Sequence, residues 1–184
     1  MDDRGHIREG LVLLACQQGS GRAFAMLVKR WQARLWAHAH RLTGCAHAAD
    51  DVIQESWIAV VKGLPGLEDV DVFPAWVFRI VTNKSTDWVR KQQRRRRLLS
   101  WLGRQPEVAD PRPRRQDERF EALHAALATL PVEQRGVIAL YYEEGFSVME
   151  IADMLGIPPG TVKSRLYHAR KQLRRQMEDA NHVQ

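Results

Sequence analysis

Between Thr161 and Arg175 the chain carries six Lys or Arg residues and no acid. Val162, Leu166, Ala169 and Leu173 recur there at i, i+4, i+7 and i+11, the period of a helix with one apolar face. Thr161 opens this stretch. Lys163, Ser164, Tyr167, His168 and Lys171 fall on the outer face, with Arg170, Arg174 and Arg175 nearby. The chemistry open to such a face is recognition rather than bond making: cations meet phosphates, while hydroxyl, phenol and imidazole groups reach base edges. Just upstream, Ala152, Gly156 and Val162 have the spacing of a helix-turn-helix corner: a small residue where two helices nearly touch, a turning glycine, and a branched apolar plug. Pro158, Pro159 and Gly160 punctuate the turn and predict a second helix from near Thr161. Ser147–Leu173 therefore reads as a helix-turn-helix ending in a basic helix. The plainer alternative, a solvated basic helix on an ordinary helical domain, leaves the turn spacing unexplained.

Two more sets of polar residues stand out. In AADDVIQESW, the residues Asp50, Asp51, Gln54 and Glu55 occupy the first turns of a helix predicted over Ala46–Lys62. Acids there are favoured by the helix dipole, by a few tenths of a kcal/mol each, and the same acids would make a docking surface for a basic or polar helix. A second helix, Pro74–Arg97, turns Trp76, Val77, Ile80, Val81 and Trp88 inward. Its outer face of Arg79, Asn83, Lys84, Thr86 and Arg90 runs into Lys91 and Arg94–Arg97. With the acidic, turn-rich loop Gly63–Phe73 and nearby aromatics, this suits single-stranded DNA, whose bases stack on rings while phosphates meet cations. Tryptophans are more often core than stacking platforms, so the rings alone do not decide it.

The elements that must position these residues are all helical. Apolar residues follow a helical period nearly everywhere, no alternating run is bounded by hairpin turns, and the expected class is all-α in two small domains. Residues 8–97 form the first domain, entered by helices over Gly10–Gln17 and Ser20–Leu42. Ser20 is the predicted N-cap of the longer one, and Thr43-Gly44 ends it. Residues 98–118, SWLGRQPEVADPRPRRQ and its flanks, are a Pro- and charge-rich linker, and 119–178 form a second domain that carries the helix-turn-helix. A domain of about 60 residues is marginal alone and relies on a compact bundle or on a partner.

The net charge of +6 is localised: Lys91–Arg119 holds ten Lys or Arg against Glu107, Asp110, Asp117 and Glu118, which is +6 in itself. That belt, with the basic final helix, fits a polyanion lying along one side. No apolar run reaches membrane-spanning length and MDDRGHIREG has no signal-peptide core, so a soluble cytoplasmic protein is expected. Cys16 and Cys45 share no ligand spacing with each other or with the histidines. Buried free thiols and no metal or cofactor are expected. Ser20, Ser56 and Ser85 lie in helices without a nearby base, so no catalytic constellation is visible and the chain does not read as an enzyme.

Together these residues resemble the extracytoplasmic-function sigma factors, the small two-domain initiation subunits of bacterial RNA polymerase. AADDVIQESW is similar to that family's polymerase-docking helix and FPAWVFRIVTNKSTDWVRKQQRRR to its promoter-melting helix. LHAALATLPVEQRGVIALYYEEGFSVMEIADMLGIPPGTVKSRLYHARKQLR resembles its carboxy-terminal domain, and AFAMLVKRWQARLWAHAHRLTG more loosely its opening helix. Order and spacing carry the likeness, over about 150 of the 184 residues.

The resemblance implies that Asp50, Asp51, Gln54 and Glu55 bind the clamp helices of core RNA polymerase. It implies that Asn83, Lys84, Thr86, Asp87 and Arg90, with the Gly63–Phe73 loop, read the −10 promoter element around a flipped base. Flipping costs a few kcal/mol, offset when pocket contacts exist only for the unpaired base. Asp87 has a structural alternative, anchoring its own helix. Recognition of the −35 element would fall to Thr161, Lys163, Ser164, Tyr167, His168 and Lys171, with an apolar patch of the same domain gripping the polymerase flap tip. An anti-sigma factor is the further partner implied. The chain departs from the family at His168, where arginine is usual; an imidazole is shorter and lacks the guanidinium fork, so the resemblance does not carry the family's phosphate or guanine contact to this position. The linker is also richer in arginine than the family pattern. A self-sufficient helix-turn-helix regulator would need a dimer seam or ligand domain, which the sequence lacks, and a recombinase would need a catalytic cluster.

Overall fold

The computed structural model describes residues 3–102 and 125–181, and it is all-α, with no strand among the described residues. Helices α1 (Asp3–Gln17), α2 (Gly21–Thr43), α3 (Ala46–Gly63) and α4 (Phe73–Trp101) build the first domain. Helices α5 (Val132–Tyr142), α6 (Val148–Leu155) and α7 (Pro159–Asn181) build the second, preceded by helical residues 125–129.

Local chemistry sets several boundaries. Ser20 Oγ accepts the Ala23 N–H at 3.3 Å to start α2, and Gly44, at φ 70°, ends it in the left-handed region that side chains disfavour. α2 then buries Ala23, Leu27, Trp31, Leu35, His38, Ala39 and Leu42, a stripe at helical period. It packs against both α3 and α4, which also pack on each other. Trp31 meets Phe73 and Phe78 edge-on, with ring centroids 5.5 and 6.2 Å apart.

The buried stripe of α4 is rotated from the one read in the sequence. Phe73, Val77, Phe78, Val81, Thr82, Ser85 and Val89 are buried, whereas Trp76, Ile80 and Trp88 are half-buried along the flanks. Two phenylalanines on one side and the small Ser85 on the other let neighbouring helices approach there, which pushes the bulky indoles to the edge. α4 also runs past Arg97 to Trp101, because Leu98, Leu99, Ser100 and Trp101 hold no breaker and the next glycine is Gly103. The first residues of the expected linker are thus the last turn of α4, and 103–118 lie outside the described residues. Cys16 and Cys45 are free but half-buried rather than buried, with burial raising the Cys16 thiol pKa.

The domains share one interior. A single cluster of buried side chains runs from Leu27, Leu35 and Val77 to Val137, Ile151 and Leu166. Phe78 and Phe146 touch across the boundary at 5.7 Å, and Leu42 and Val89 pack with Val132 and Ala139. The small second domain thus finds its partner in the first.

Candidate nucleic-acid interface and docking faces

α6 and α7 meet as the corner spacing requires. Ser147 and Glu150 form a reciprocal capping box: Ser147 Oγ accepts the Glu150 N–H at 3.2 Å, and Glu150 Oε2 accepts the Ser147 N–H at 2.7 Å. These bonds stabilise the carboxylate and lower the Glu150 pKa. Gly156, at φ 64°, closes α6. Ala152 is 3% exposed where the helices touch and Val162 is fully buried. α7 begins at Pro159, two residues earlier than the sequence suggests, since proline tolerates the first turn.

Val162, Leu166 and Ala169 anchor α7 inward, with Leu173 half-buried. Lys163, Ser164, Tyr167, His168 and Lys171 are all exposed on the opposite side, while Thr161 is half-buried at the start. The Tyr167 and His168 rings meet edge-on at 5.3 Å, so each limits the other's rotamers. His168 and Lys171 also line a polar cleft with Gln134, Gln172 and Arg175. Cationic and hydrogen-bonding side chains share this one face of a helix that holds no acid from Thr161 to Arg175, an arrangement able to meet phosphates and base edges.

On α3, Asp50, Asp51, Gln54 and Glu55 are exposed together. Asp50 Oδ1 accepts the Trp36 indole N–H at 2.7 Å, and Glu55 pairs with Lys84 of α4 at 3.2 Å. Beside them lies an apolar groove of about 560 Å³ that the sequence reading missed, lined by Phe24, Val28, Ile53, Trp57 and Ile58 among others, with Asp50 and Gln54 on its rim. Ile58 and Val61, 51% and 54% exposed, were its available sign, as they stand off the buried Val52–Ile53–Ser56–Val60 stripe. Tyr141, Tyr142 and Met149 are likewise exposed on the second domain.

On α4, Asn83, Asp87 and Arg90 are exposed, and Lys84 and Thr86 half-buried. They do not form one free face. Lys84 leans to α3 and Glu55, whereas the Arg90 guanidinium donates twice to Glu133 Oε1 of α5, at 3.0 and 3.2 Å. The connection ahead of α4 is fastened: Gln17 Nε2 donates to the carbonyls of Leu64 and Leu67 at 3.0 and 2.7 Å, and Asp69 caps the turn Val70–Val72. Among the described residues no group of His, Cys, Asp and Glu is arranged to hold a metal ion, and no helix is long and apolar enough to cross a membrane.

Residues 27–95 match the family model described as Sigma-70 region 2, and residues 120–173 match that described as Sigma-70, region 4. The chain is 39% identical over 153 residues to the ECF RNA polymerase sigma factor SigE of Mycolicibacterium smegmatis, a match covering 80% of this chain and 59% of that protein. SigL of Mycobacterium tuberculosis is 35% identical over 151 residues, covering 79% of this chain and 83% of SigL. SigW of Bacillus subtilis is 28% identical over 174 residues, covering 89% and 93%. Among solved structures, CnrH in complex with the cytosolic domain of CnrY aligns at TM-score 0.67 and 27% identity, covering 93% of this chain and 97% of that one. RpoE of Bartonella quintana, in complex with the anti-sigma factor NepR, aligns at TM-score 0.68 and 25% identity, covering 84% and 96%. Likeness of this extent to SigL, with both sigma-70 modules in order on one chain, makes this chain a member of the extracytoplasmic-function (ECF) RNA polymerase sigma factors.

Proposed function

We propose that this chain directs core RNA polymerase to promoters by dividing three contacts among α3, α4 and α7. The Asp50, Asp51, Gln54 and Glu55 cluster takes the clamp helices of core polymerase, with the adjoining apolar groove supplying the desolvated centre that an acidic rim alone lacks. Asn83, Lys84, Thr86, Asp87 and Arg90, with the loop before α4, meet the −10 strand. Thr161, Lys163, Ser164, Tyr167, His168 and Lys171 meet the −35 duplex, and an apolar patch on that domain takes the flap tip. The observation that carries this reading is the outer face of α7, where exposed Lys163, Ser164, Tyr167, His168 and Lys171 share a helix that holds no acid from Thr161 to Arg175.

An anti-sigma factor is the expected antagonist, by likeness to the RpoE–NepR complex. Covering the α3 groove and its acids would be enough to block polymerase. The chain acts in the cytoplasm, where polymerase and DNA meet, and its role is binding rather than catalysis. Run-off transcription from a promoter library tests the proposal: purified core polymerase should initiate at a defined promoter set only when this protein is added. Equal footprints from the free protein, without core polymerase, would instead make it a self-sufficient regulator.

A further inference from the structure

Two surfaces of the first domain stand uncovered among the described residues, and their chemistry is complementary. Val89 is the last buried residue of α4, yet the helix continues to Trp101. From Arg90 to Leu102 every side chain except Gln92 and Leu99 is exposed. Leu98, Trp101 and Leu102 are 59%, 82% and 56% exposed, and their i, i+3, i+4 spacing puts them on one face of the helix end. Arg94 and Arg95 stand one turn earlier on that same face, at i−4 and i−3 from Leu98. A basic turn followed by three apolar anchors is the pattern of a helix that lays one face in a groove. The second surface is the apolar groove of about 560 Å³ between α2 and α3. Phe24, Val28, Trp57 and Ile58 line it, Asp50 and Gln54 stand on its rim, and Asp51 and Glu55 are exposed beside them.

We infer that the chain self-associates, with the α4 end of one copy seated in the α2–α3 groove of another. Leu98, Trp101 and Leu102 fill the apolar floor, while the Arg94 and Arg95 guanidinium groups pair with the carboxylates at its rim. The groove is out of reach of the same chain's own α4 end. Lys84 is held to Glu55 of α3 at 3.2 Å, and Trp101 lies about 25 Å further along α4 at about 1.5 Å per residue. No proline or glycine interrupts the helix from Ala75 to Trp101, so nothing bends it back. A second copy supplies the match. Three anchors and a few ion pairs make a small, reversible contact, with a dissociation constant on the order of 10 μM. The contact is head-to-tail, so a copy whose groove is filled still offers its own α4 end. Its consequence for transcription rests on the proposed docking of polymerase at the same groove: self-association then competes with polymerase when the protein is abundant, and dilution releases it.

The test uses the full chain in sedimentation equilibrium, loaded from about 5 to about 500 μM, a range that brackets the expected dissociation constant. Wild type should gain weight-average mass with loading. Leu98→Gln/Trp101→Gln removes two anchors, and Ile58→Lys places a cation in the groove; all three positions are exposed, so each variant keeps its fold. Each variant alone should associate at least about thirtyfold more weakly than wild type, as loss of an interface anchor does. Mixed together, the two variants should form a one-to-one pair, because the first keeps its groove and the second keeps its α4 end. Wild type that stays monomeric at about 500 μM overturns the proposal without reference to any variant and leaves the groove to other partners. Association that either variant retains, or that mixing does not restore, overturns the seating of α4 in the groove. Energy transfer between donor-labelled and acceptor-labelled full chains separates this inference from the polymerase reading. Transfer should fall when core polymerase is added in equal amount. Transfer that persists with polymerase bound upholds self-association and removes polymerase from the groove.

Discussion

His38 is an imidazole with no exposure to solvent, its Nε2 2.8 Å from Thr82 Oγ1 and its ring edge-on to Phe78 at 5.1 Å. Burial, then the charges of Arg41 and Arg34, lower its pKa from 6.5 to about 3. The unfolded chain takes up this proton near pH 6.5 and the folded chain does not. Its contribution to stability is therefore complete above pH 6.5 and declines as pH falls toward 3, by up to about 1.4 kcal/mol per pH unit. Urea unfolding of wild type and His38→Gln at several values between about pH 6.5 and 5 checks this, the wild-type slope being the steeper. On α7 the residues divide by chemistry. Lys163 stands in an early turn as a flexible point charge, so Lys163→Ala should weaken −35 binding on all sequences and flatten its salt dependence by about one ion. His168→Arg should instead shift one base preference toward guanine, worth roughly 1–3 kcal/mol. Selection from a randomised −35 library with core polymerase present compares the three proteins. Parental preferences retained by His168→Arg would rotate the recognition face away from His168.

Elements were legible in the sequence wherever the deciding contacts are local. The Ser20 cap, the Gly44 and Gly156 stops and the Ala152–Val162 corner each depend on residues within about a dozen positions of one another, and side-chain spacing reports them directly. The rotation of α4 was not legible, because Phe78 is buried by Trp31 and Phe146, both distant in sequence. The helix proposed to dock polymerase shows its acids in sequence, while the groove beside them needs Phe24 and Val28 from α2 to exist. Asp51→Lys tests that helix cleanly. Asp51 is exposed, so stability should change by no more than about 0.5 kcal/mol, while association with core polymerase in a pull-down falls sharply. Glu55→Lys is less clean because it also breaks the exposed pair with Lys84, itself worth at most about 1 kcal/mol. Gly63 is fixed by its neighbour rather than by its backbone. A Cβ there would lie 2.7 Å from Trp76 Cζ2, so Gly63→Ala should displace the indole and the loop it supports. The expected outcome is an altered near-ultraviolet dichroism spectrum and a lower melting temperature.

At the scale of the molecule, spacing and composition reveal two domains and cannot reveal that they close on each other. Arg34 and Glu144 are 110 residues apart, and no periodicity links them. The positive belt was visible as charge, yet where its neighbours are neutralised is a property of the assembled surface. Because the two domains are packed together, the free protein should footprint a defined promoter far more weakly than its complex with core polymerase at physiological salt. Two linked sites gain effective concentration only when geometry lets both engage at once. Equal protection in the two footprints would show that polymerase is not needed to space the domains.

The amide of Gln17 has a consequence for how such a protein diversifies. Its two bonds to Leu64 and Leu67 brace the loop ahead of α4 from a helix that lies wholly before residue 27, where the shared family pattern begins. Gln17→Leu would leave both carbonyls without that donor and let the loop resettle, while every DNA-facing side chain kept its identity. On the proposed reading, promoter preference can therefore shift through a change in α1 that alters none of the side chains assigned to DNA. Two relatives with the same reading residues need not read the same promoter.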